Sequence, residues 1–155
     1  PAMRELGLEG LRLHPECFAA DLEAEEALTL DDFAARLTSA TTFGGFVDGG
    51  LVGMAVFAQP DRKKIAHTAE LAAMYVRASA RGTGLSDALV EAVIDRAVEK
   101  KVEQIKLTVN AENPHAIRLY ERHGFRELAR FPNSLRVDGR TYEELLMLRA
   151  VSPTD

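Results

Sequence analysis

The chain has 155 residues, 46% of them hydrophobic and 28% charged, the proportions of an ordinary globular protein with material for one core. Its net charge of −5 argues against nucleic-acid recognition, which needs a basic face to displace counterions from phosphate. One cysteine, Cys17, excludes an internal disulfide and a cysteine-built zinc site, and makes a reducing compartment the default.

Met3 to Leu13 places apolar residues at Met3, Leu6, Leu8, Leu11 and Leu13, a helix pattern halted by Pro15. Arg4, Glu5, Glu9, Arg12 and Glu16 interrupt this region, so it holds no apolar signal-peptide core. The longest charge-free stretch, Gly49 to Pro60, is too short to span a bilayer. The expectation is a soluble cytoplasmic protein with no membrane and no nucleic-acid partner. Between Leu13 and Ala35 stand seven carboxylates and no Lys or Arg, leaving a net +2 on the rest of the chain.

Thr29-Leu30-Asp31-Asp32 ahead of Phe33, Ala34 and Leu37 reads as a capped helix start. Phe43–Val47 and Leu51–Ala58 flank Asp48-Gly49-Gly50, the signature of a hairpin whose turn needs positive φ. A polar loop, Asp61-Arg62-Lys63-Lys64, leads to a strand over about His67–Val76. Leu85–Lys101 is the longest helical pattern, with Leu85, Leu89, Val93 and Ala97 along one stripe and Lys100-Lys101 suited to its C-terminal dipole. Ile105–Val109 follows as a short strand. Asn113-Pro114 caps a helix to about His123, which Gly124 ends. Phe125–Val137 and Thr141–Arg149 pair around Asp138-Gly139. The order predicts a mixed α/β fold over a single domain, residues 1–155. One sheet is covered by helices, with antiparallel hairpins at both ends and helical crossovers between them.

Two segments carry chemistry. In Ala72 to Leu85 a strand enters a glycine turn that opens the long helix. Gly82 and Gly84 let the backbone approach a ligand and aim N–H groups outward at a helix N-terminus, where the dipole favours anions. Thr83 and Ser86 offer hydroxyls and Arg81 a charge, a set that suits a pyrophosphate. No Lys-Ser/Thr follows, so this is not a Walker loop, and no third glycine makes it a dinucleotide fingerprint. In Asn113 to Phe125, Ala116 and Tyr120 share a helix face with Asn113 at its mouth. The plain alternative is that Asn113 is a cap, Tyr120 a core aromatic and Gly124 a C-cap.

Together the two segments make the chain resemble the GNAT superfamily of acetyl-CoA-dependent N-acetyltransferases. That family carries Arg/Gln-x-x-Gly-x-Gly/Ala after a strand, then Asn-x-x-Ala-x-x-Leu-Tyr-x-x-x-Gly-Phe. Residues 113–125 match the second signature at every defined position. The first is matched at Gly82 and Gly84, with Ser79 in place of its leading Arg/Gln. The element order agrees from about Thr42 onward.

The resemblance implies a GNAT-like, mostly antiparallel sheet flanked by helices, with the family's N-terminal strand short or missing. It implies acetyl-CoA as co-substrate without a metal, an amine acceptor, and a fold on which a homodimer is open. Backbone N–H groups from Arg81 through Ser86, Leu85 included, would bind the pyrophosphate. Met74 and Val76 would pair with the pantetheine arm, and Asn113 would hold it from the other side. Tyr120 matches the tyrosine that protonates the departing thiolate, and Glu70, six residues before Val76, matches a glutamate that deprotonates the amine. By strand alternation Glu70, Ala72, Met74 and Val76 should share a face. Glu70 as a solvated strand-end charge is the competing reading.

Cys17 reads as a small buried hydrophobe, and His115 and His123 as surface residues. The seven N-terminal carboxylates either favour a cationic acceptor, such as a polyamine, an aminoglycoside or a basic peptide end, or form a solvated helical face. A non-catalytic acyl-CoA sensor on the same fold is the alternative function.

Overall fold

The computed structural model describes residues 1–151. Five α-helices, α1 (Ala2–Leu13), α2 (Leu22–Glu26), α3 (Leu30–Ser39), α4 (Leu85–Glu99) and α5 (Pro114–Arg122), accompany six strands. The strands are β1 (Thr41–Val47), β2 (Gly50–Ala58), β3 (Thr68–Val76), β4 (Gln104–Asn110), β5 (Arg126–Val137) and β6 (Arg140–Ala150), forming one sheet in the order β1-β2-β3-β4-β6-β5. Only β3 and β4 run parallel, joined by the α4 crossover, and the other neighbours are antiparallel. The predicted fold class is the observed one. Sequence reading left out α2 and a short 3-10 turn over Pro15–Cys17.

Local chemistry accounts for the element boundaries. At α3, Thr29 Oγ1 accepts the Asp32 N–H at 3.0 Å while the Asp32 carboxylate accepts the Thr29 N–H at 3.1 Å, satisfying two donors that the first turn leaves open. Both hairpins turn on an Asp-Gly pair, Asp48–Gly49 at φ 49° and 80° and Asp138–Gly139 at φ 49° and 80°. Two consecutive positive φ values match the twist of the flanking strands.

One sheet face buries Phe57, Leu71, Ile105, Leu107 and Met147 against α4, which contributes Leu89, Val90, Val93 and Ala97. Helix α4 lies close because β1 and β2 present glycines there. A Cβ on Gly45 would stand 2.7 Å from Leu85 Cδ1. The other face is smaller, with Leu6 of α1 packed on Met54 and Tyr75. Among the described residues no helix is long and apolar enough to cross a membrane.

The feature that shapes the functional region is a bulge in β3. Met54 pairs with Tyr75 and Val56 with Ala72, so Ala55 alone stands opposite Ala73 and Met74. Ala73 takes φ 50°, left-handed backbone that a Cβ disfavours. The extra residue reverses side-chain parity. Before it Ala69 and Leu71 face α4, and after it Met74 and Val76 do, while Tyr75 turns toward α1. Strict alternation therefore fails: Glu70 and Ala72 lie on the face opposite Met74 and Val76. On its other side β3 pairs with β4 only from Thr68↔Gln104 to Glu70↔Lys106, after which the two strands part.

Ala73→Gly should remove the left-handed penalty without loss of packing, because Ala73 is exposed. Unfolding free energy is expected to rise by about 0.5–1 kcal/mol, or roughly 1–4 °C in Tm. Ala73→Val should lower it, and denaturation of the two variants checks both signs.

Candidate active site

Where β3 and β4 part, a cleft of ≈ 810 Å³ opens. Leu71–Val76 of β3 and Thr108–Asn110 of β4 line its two inner edges. The start of α4, the Asn113 end of α5 and the 14–18 segment complete its lining.

At the α4 start, Gly82 and Gly84 take φ 78° and 85°, and a Cβ built on either meets nothing within 4 Å. Gly84 caps α4 with no side-chain bond, and the first helical bond runs from the Ala88 N–H to the Gly84 carbonyl. The N–H groups of Leu85, Ser86 and Asp87 thus lack a partner within the helix and add to the positive end of its dipole. Asp87 would oppose an anion there, but its carboxylate lies 2.7 Å from His123 Nε2 and 3.2 Å from Arg122 Nη2. The hydrogen bond from His123, then that from Arg122, holds the Asp87 carboxyl below the usual carboxylate range. His123 is thus drawn into a paired, largely covered position rather than left at the surface, whereas His115 is exposed.

Several expected donors are already engaged. The Arg81 N–H bonds the Ala78 carbonyl at 3.2 Å. Arg81 Nε donates to the Val76 carbonyl at 3.2 Å, and its Nη2 lies 3.4 Å from His14 Nε2. The Thr83 hydroxyl donates to the Ala80 carbonyl. The open run of N–H groups therefore begins at Gly82, not Arg81, and Thr83 offers its backbone rather than its hydroxyl. The Leu85 side chain packs beneath β1 and β2, so only its main chain faces the turn. Ser86, Met74 and Val76 line the cleft.

On α5 Asn113 is both cap and lining residue: Oδ1 accepts the Ala116 N–H at 3.2 Å, and Nδ2 lies 3.8 Å from Cys17 Sγ. Two helical turns on, Tyr120 is only 6% exposed, with its ring edge-on to Phe125 at 5.9 Å. Its hydroxyl makes no hydrogen bond to any described residue and lies in the wall of the cleft. Burial, with the neighbouring Cys17 as a lesser cause, pushes its pKa well above the usual tyrosine range, so it keeps its proton at neutral pH.

Glu70 is not brought to this place. It sits where β3 and β4 are still paired, opposite Lys106, and does not line the cleft. What sequence reasoning missed is the 14–18 segment, whose His14, Glu16, Cys17 and Phe18 all line it. Asn110, 3% exposed at the end of β4, fixes that segment: Nδ2 donates to the Glu16 carbonyl at 2.7 Å, and Oδ1 accepts the Glu112 N–H at 2.8 Å. Cys17 is half-buried rather than sealed in the core. Burial, then the Glu16 charge, raises its thiol pKa. The one legible signal was an asparagine ending an apolar strand. The remaining carboxylates of the acidic stretch lie outside the cleft, with Glu25 on Arg36, Glu26 on Arg12 and Asp32 on its cap.

The family model described as "Acetyltransferase (GNAT) family" matches residues 8–125. YwnH of Bacillus subtilis, provisionally named a phosphinothricin acetyltransferase, is 27% identical over 85 residues, 55% of this chain. The match spans about half of that relative's length, 52%. A GCN5-related N-acetyltransferase from Kribbella flavida superposes with a TM-score of 0.78 at 27% identity, covering 97% of this chain and 90% of that one. The yncA protein of Salmonella typhimurium, solved with its cofactor acetyl-CoA, superposes with a TM-score of 0.79 at 21% identity, covering 99% and 89%.

The depressed Asp87 pKa makes a signed prediction. Stability from its ionised form is present above the ordinary Asp pKa of about 4 and is lost as pH falls through the lower folded value. Asp87→Asn should therefore melt earlier than wild type at neutral pH, with the gap closing as pH falls below the ordinary Asp value. A gap independent of pH in thermal melts would show that the His123 and Arg122 contacts do not act through the charge.

Proposed function

The chain belongs to the GNAT acetyltransferase family, and on that premise we propose that it moves the acetyl group of acetyl-CoA directly to a primary amine of a small molecule or peptide. The observation that carries this reading is Tyr120, a tyrosine 6% exposed that lines the cleft, has no hydrogen-bond partner for its hydroxyl among the described residues and is held in its protonated form by burial. A hydroxyl left free at the cleft wall can donate to a bound group, and a departing thiolate is such an acceptor.

The residues present fit the coenzyme. Open space above Gly82 and Gly84 and the unbonded N–H groups that follow suit a pyrophosphate. The parting of β3 from β4 leaves a backbone edge along which an extended amide-bearing arm can lie as an added strand, with Met74 and Val76 beside it and Asn113 opposite. Bound there, acetyl-CoA supplies an activated acyl carbon on a thioester. Tyr120 then donates its proton to the sulfur as the carbon–sulfur bond breaks, and the cleft holds amine and thioester together. Cys17 takes no acyl group in this scheme, because its raised pKa disfavours the thiolate that would attack. The acetyl-CoA found with yncA and the substrate in the name of YwnH support the co-substrate and suggest the first acceptor to try.

Acetyl-CoA at about 100 times its Kd should add ~2.7 kcal/mol of stability, or roughly 5–10 °C in Tm. Thiol release should follow with at least one of phosphinothricin, spermidine, kanamycin and an alanine-terminated peptide. Tyr120→Phe should lower kcat about ten- to a thousand-fold while the acetyl-CoA melting shift stays. An unchanged kcat removes Tyr120 from the chemistry. A melting shift with no thiol release from any of the four favours a coenzyme-binding module instead.

A further inference from the structure

If amine and thioester meet beside Tyr120, a proton must also leave the amine, which at neutral pH arrives as an ammonium. Glu70 lies outside the cleft. Three carboxylates line it: Glu16, Asp87 and Glu112. Asp87 is held by His123 and Arg122, and Glu112 by Arg140 Nη2 at 2.6 Å. Glu16 alone among them has no arginine or lysine partner among the described residues. Its carboxylate has His14 Nδ1 at 4.0 Å, beyond hydrogen-bond range, and the Cys17 thiol 3.9 Å from its Oε1.

Glu16 is also fixed in place. The buried Asn110 amide grips its carbonyl, so the 3-10 turn is held where β4 leaves β3. Cys17, next in the chain, lies 3.8 Å from Asn113 Nδ2 and close enough to Tyr120 to act on it electrostatically, so the turn that carries Glu16 borders the same part of the cleft as the Tyr120 helix.

We propose that Glu16 is the general base of this enzyme, binding the acceptor ammonium on the α1 side of the cleft and taking its proton, with Asn110 as the residue that positions it. This rests on the acetyl-transfer reading above. The Glu16 carboxylate accepts one proton from the ammonium and later releases it to solvent. The freed nitrogen lone pair forms the bond to the acyl carbon, and the carbon–sulfur pair departs on sulfur. Tyr120 protonates that sulfur and recovers a proton from the acylated nitrogen. The sum is an amide, a thiol and one proton released.

The other titratable and charged groups lining the cleft are His14 after α1, Cys17, Tyr75 of β3, Arg81 and Asp87 around the α4 start, Glu112, His115, Arg118, Tyr120 and Arg122 in and before α5, and Arg140 and Tyr142 of β6. His14, whose Nδ1 lies 4.0 Å from the Glu16 carboxylate, is the other candidate base on this segment, so His14→Gln serves as the control.

The test compares wild type, Glu16→Gln, Glu16→Asp, His14→Gln and Asn110→Ala, with the same four amines and saturating acetyl-CoA. With Glu16 present, ammonium is a competent form and kcat/KM should run flat across roughly pH 6.5–8.5. Glu16→Gln must use free amine from solution. Its kcat/KM should be about a hundredfold lower at pH 7 and climb tenfold per pH unit toward the amine's own pKa. Glu16→Asp and His14→Gln should keep the plateau, and Asn110→Ala should lower kcat with the acetyl-CoA KM unchanged. A second readout needs no coenzyme: calorimetry on the apo protein should show the amine bound about tenfold more weakly by Glu16→Gln. A plateau retained by Glu16→Gln, a plateau lost in His14→Gln, or equal or absent amine affinity in both proteins overturns the assignment. If wild type releases no thiol with any of the four, the acetyl-transfer reading falls instead, and calorimetry still decides Glu16.

Discussion

The structure turns on the point where β3 stops pairing with β4. Three residue pairs join these parallel strands, and beyond Glu70↔Lys106 each continues alone. Strand edges inside a fold carry N–H and C=O groups that must find partners. Here β4 stays satisfied on its other side by β6, through Asn110↔Glu144, while β3 stays satisfied by β2 around the Ala73 bulge. The gap between them is thus a sheet interrupted at its centre, with its outer ladders intact. Water can solvate such a gap, and an extended ligand with amide groups can complete it. Both glycines of the α4 turn and the Asn113 end of α5 follow directly after these two strands, so the same parting brings the anion-binding turn and the Tyr120 helix to one cleft.

Electrostatics explain how an acidic chain can suit a polyanion. Backbone N–H groups at Gly82 to Ser86 and the helix dipole supply positive potential without any charged side chain. The carboxylate nearest to them, Asp87, is paired with Arg122 of α5 and with His123, the residue that ends that helix. Three of the seven carboxylates in the acidic N-terminal stretch are engaged in local contacts. Glu26 reaches Arg12, Glu25 takes Arg36 at 2.7 Å, and Asp32 closes the α3 cap. Exposed pairs of this kind contribute little to stability, typically below about 1 kcal/mol each. They do remove charge that a reading from composition would assign to a substrate. Six of its carboxylates lie away from the cleft, and Glu16 lines it.

Much of the fold was legible because its signals are local. Asp-Gly pairs set both hairpins, Thr29 and Asp32 start α3, Asn113-Pro114 starts α5, and two glycine-bearing turns mark the ends of strands. The glycine turn and the Tyr120 helix were legible for the same reason, each being one continuous segment. The failures share the opposite property. Ala73 bulges without a glycine or any turn residue to announce it, so alternation assigned Glu70 to the wrong face. Arg81 and Thr83 were read as free donors, yet the turn folds back and uses both. His123 was read as exposed because Asp87, its partner, lies 36 residues away. Above all, the 14–18 segment reaches the cleft through a hydrogen bond spanning 94 residues, which no local pattern can show.

That division follows from what each side of the cleft has to do. A coenzyme is recognised through its pyrophosphate and amide arm, groups that backbone atoms can bind, so its flank can be written in short motifs set by turn and helix-start geometry. An acceptor is recognised through whatever side chains stand opposite, so its flank can change without disturbing the sheet. In this chain that flank is a short turn held to the end of β4 chiefly by Asn110, and it brings Glu16, Cys17 and Phe18 to the cleft together. Moving that turn by a residue would put Cys17 or Pro15 where the Glu16 carboxylate stands while leaving Gly82, Gly84 and Tyr120 where they are. On the proposed roles, the Asn110–Glu16 contact is therefore where coenzyme chemistry, fixed by the sheet, is coupled to acceptor choice.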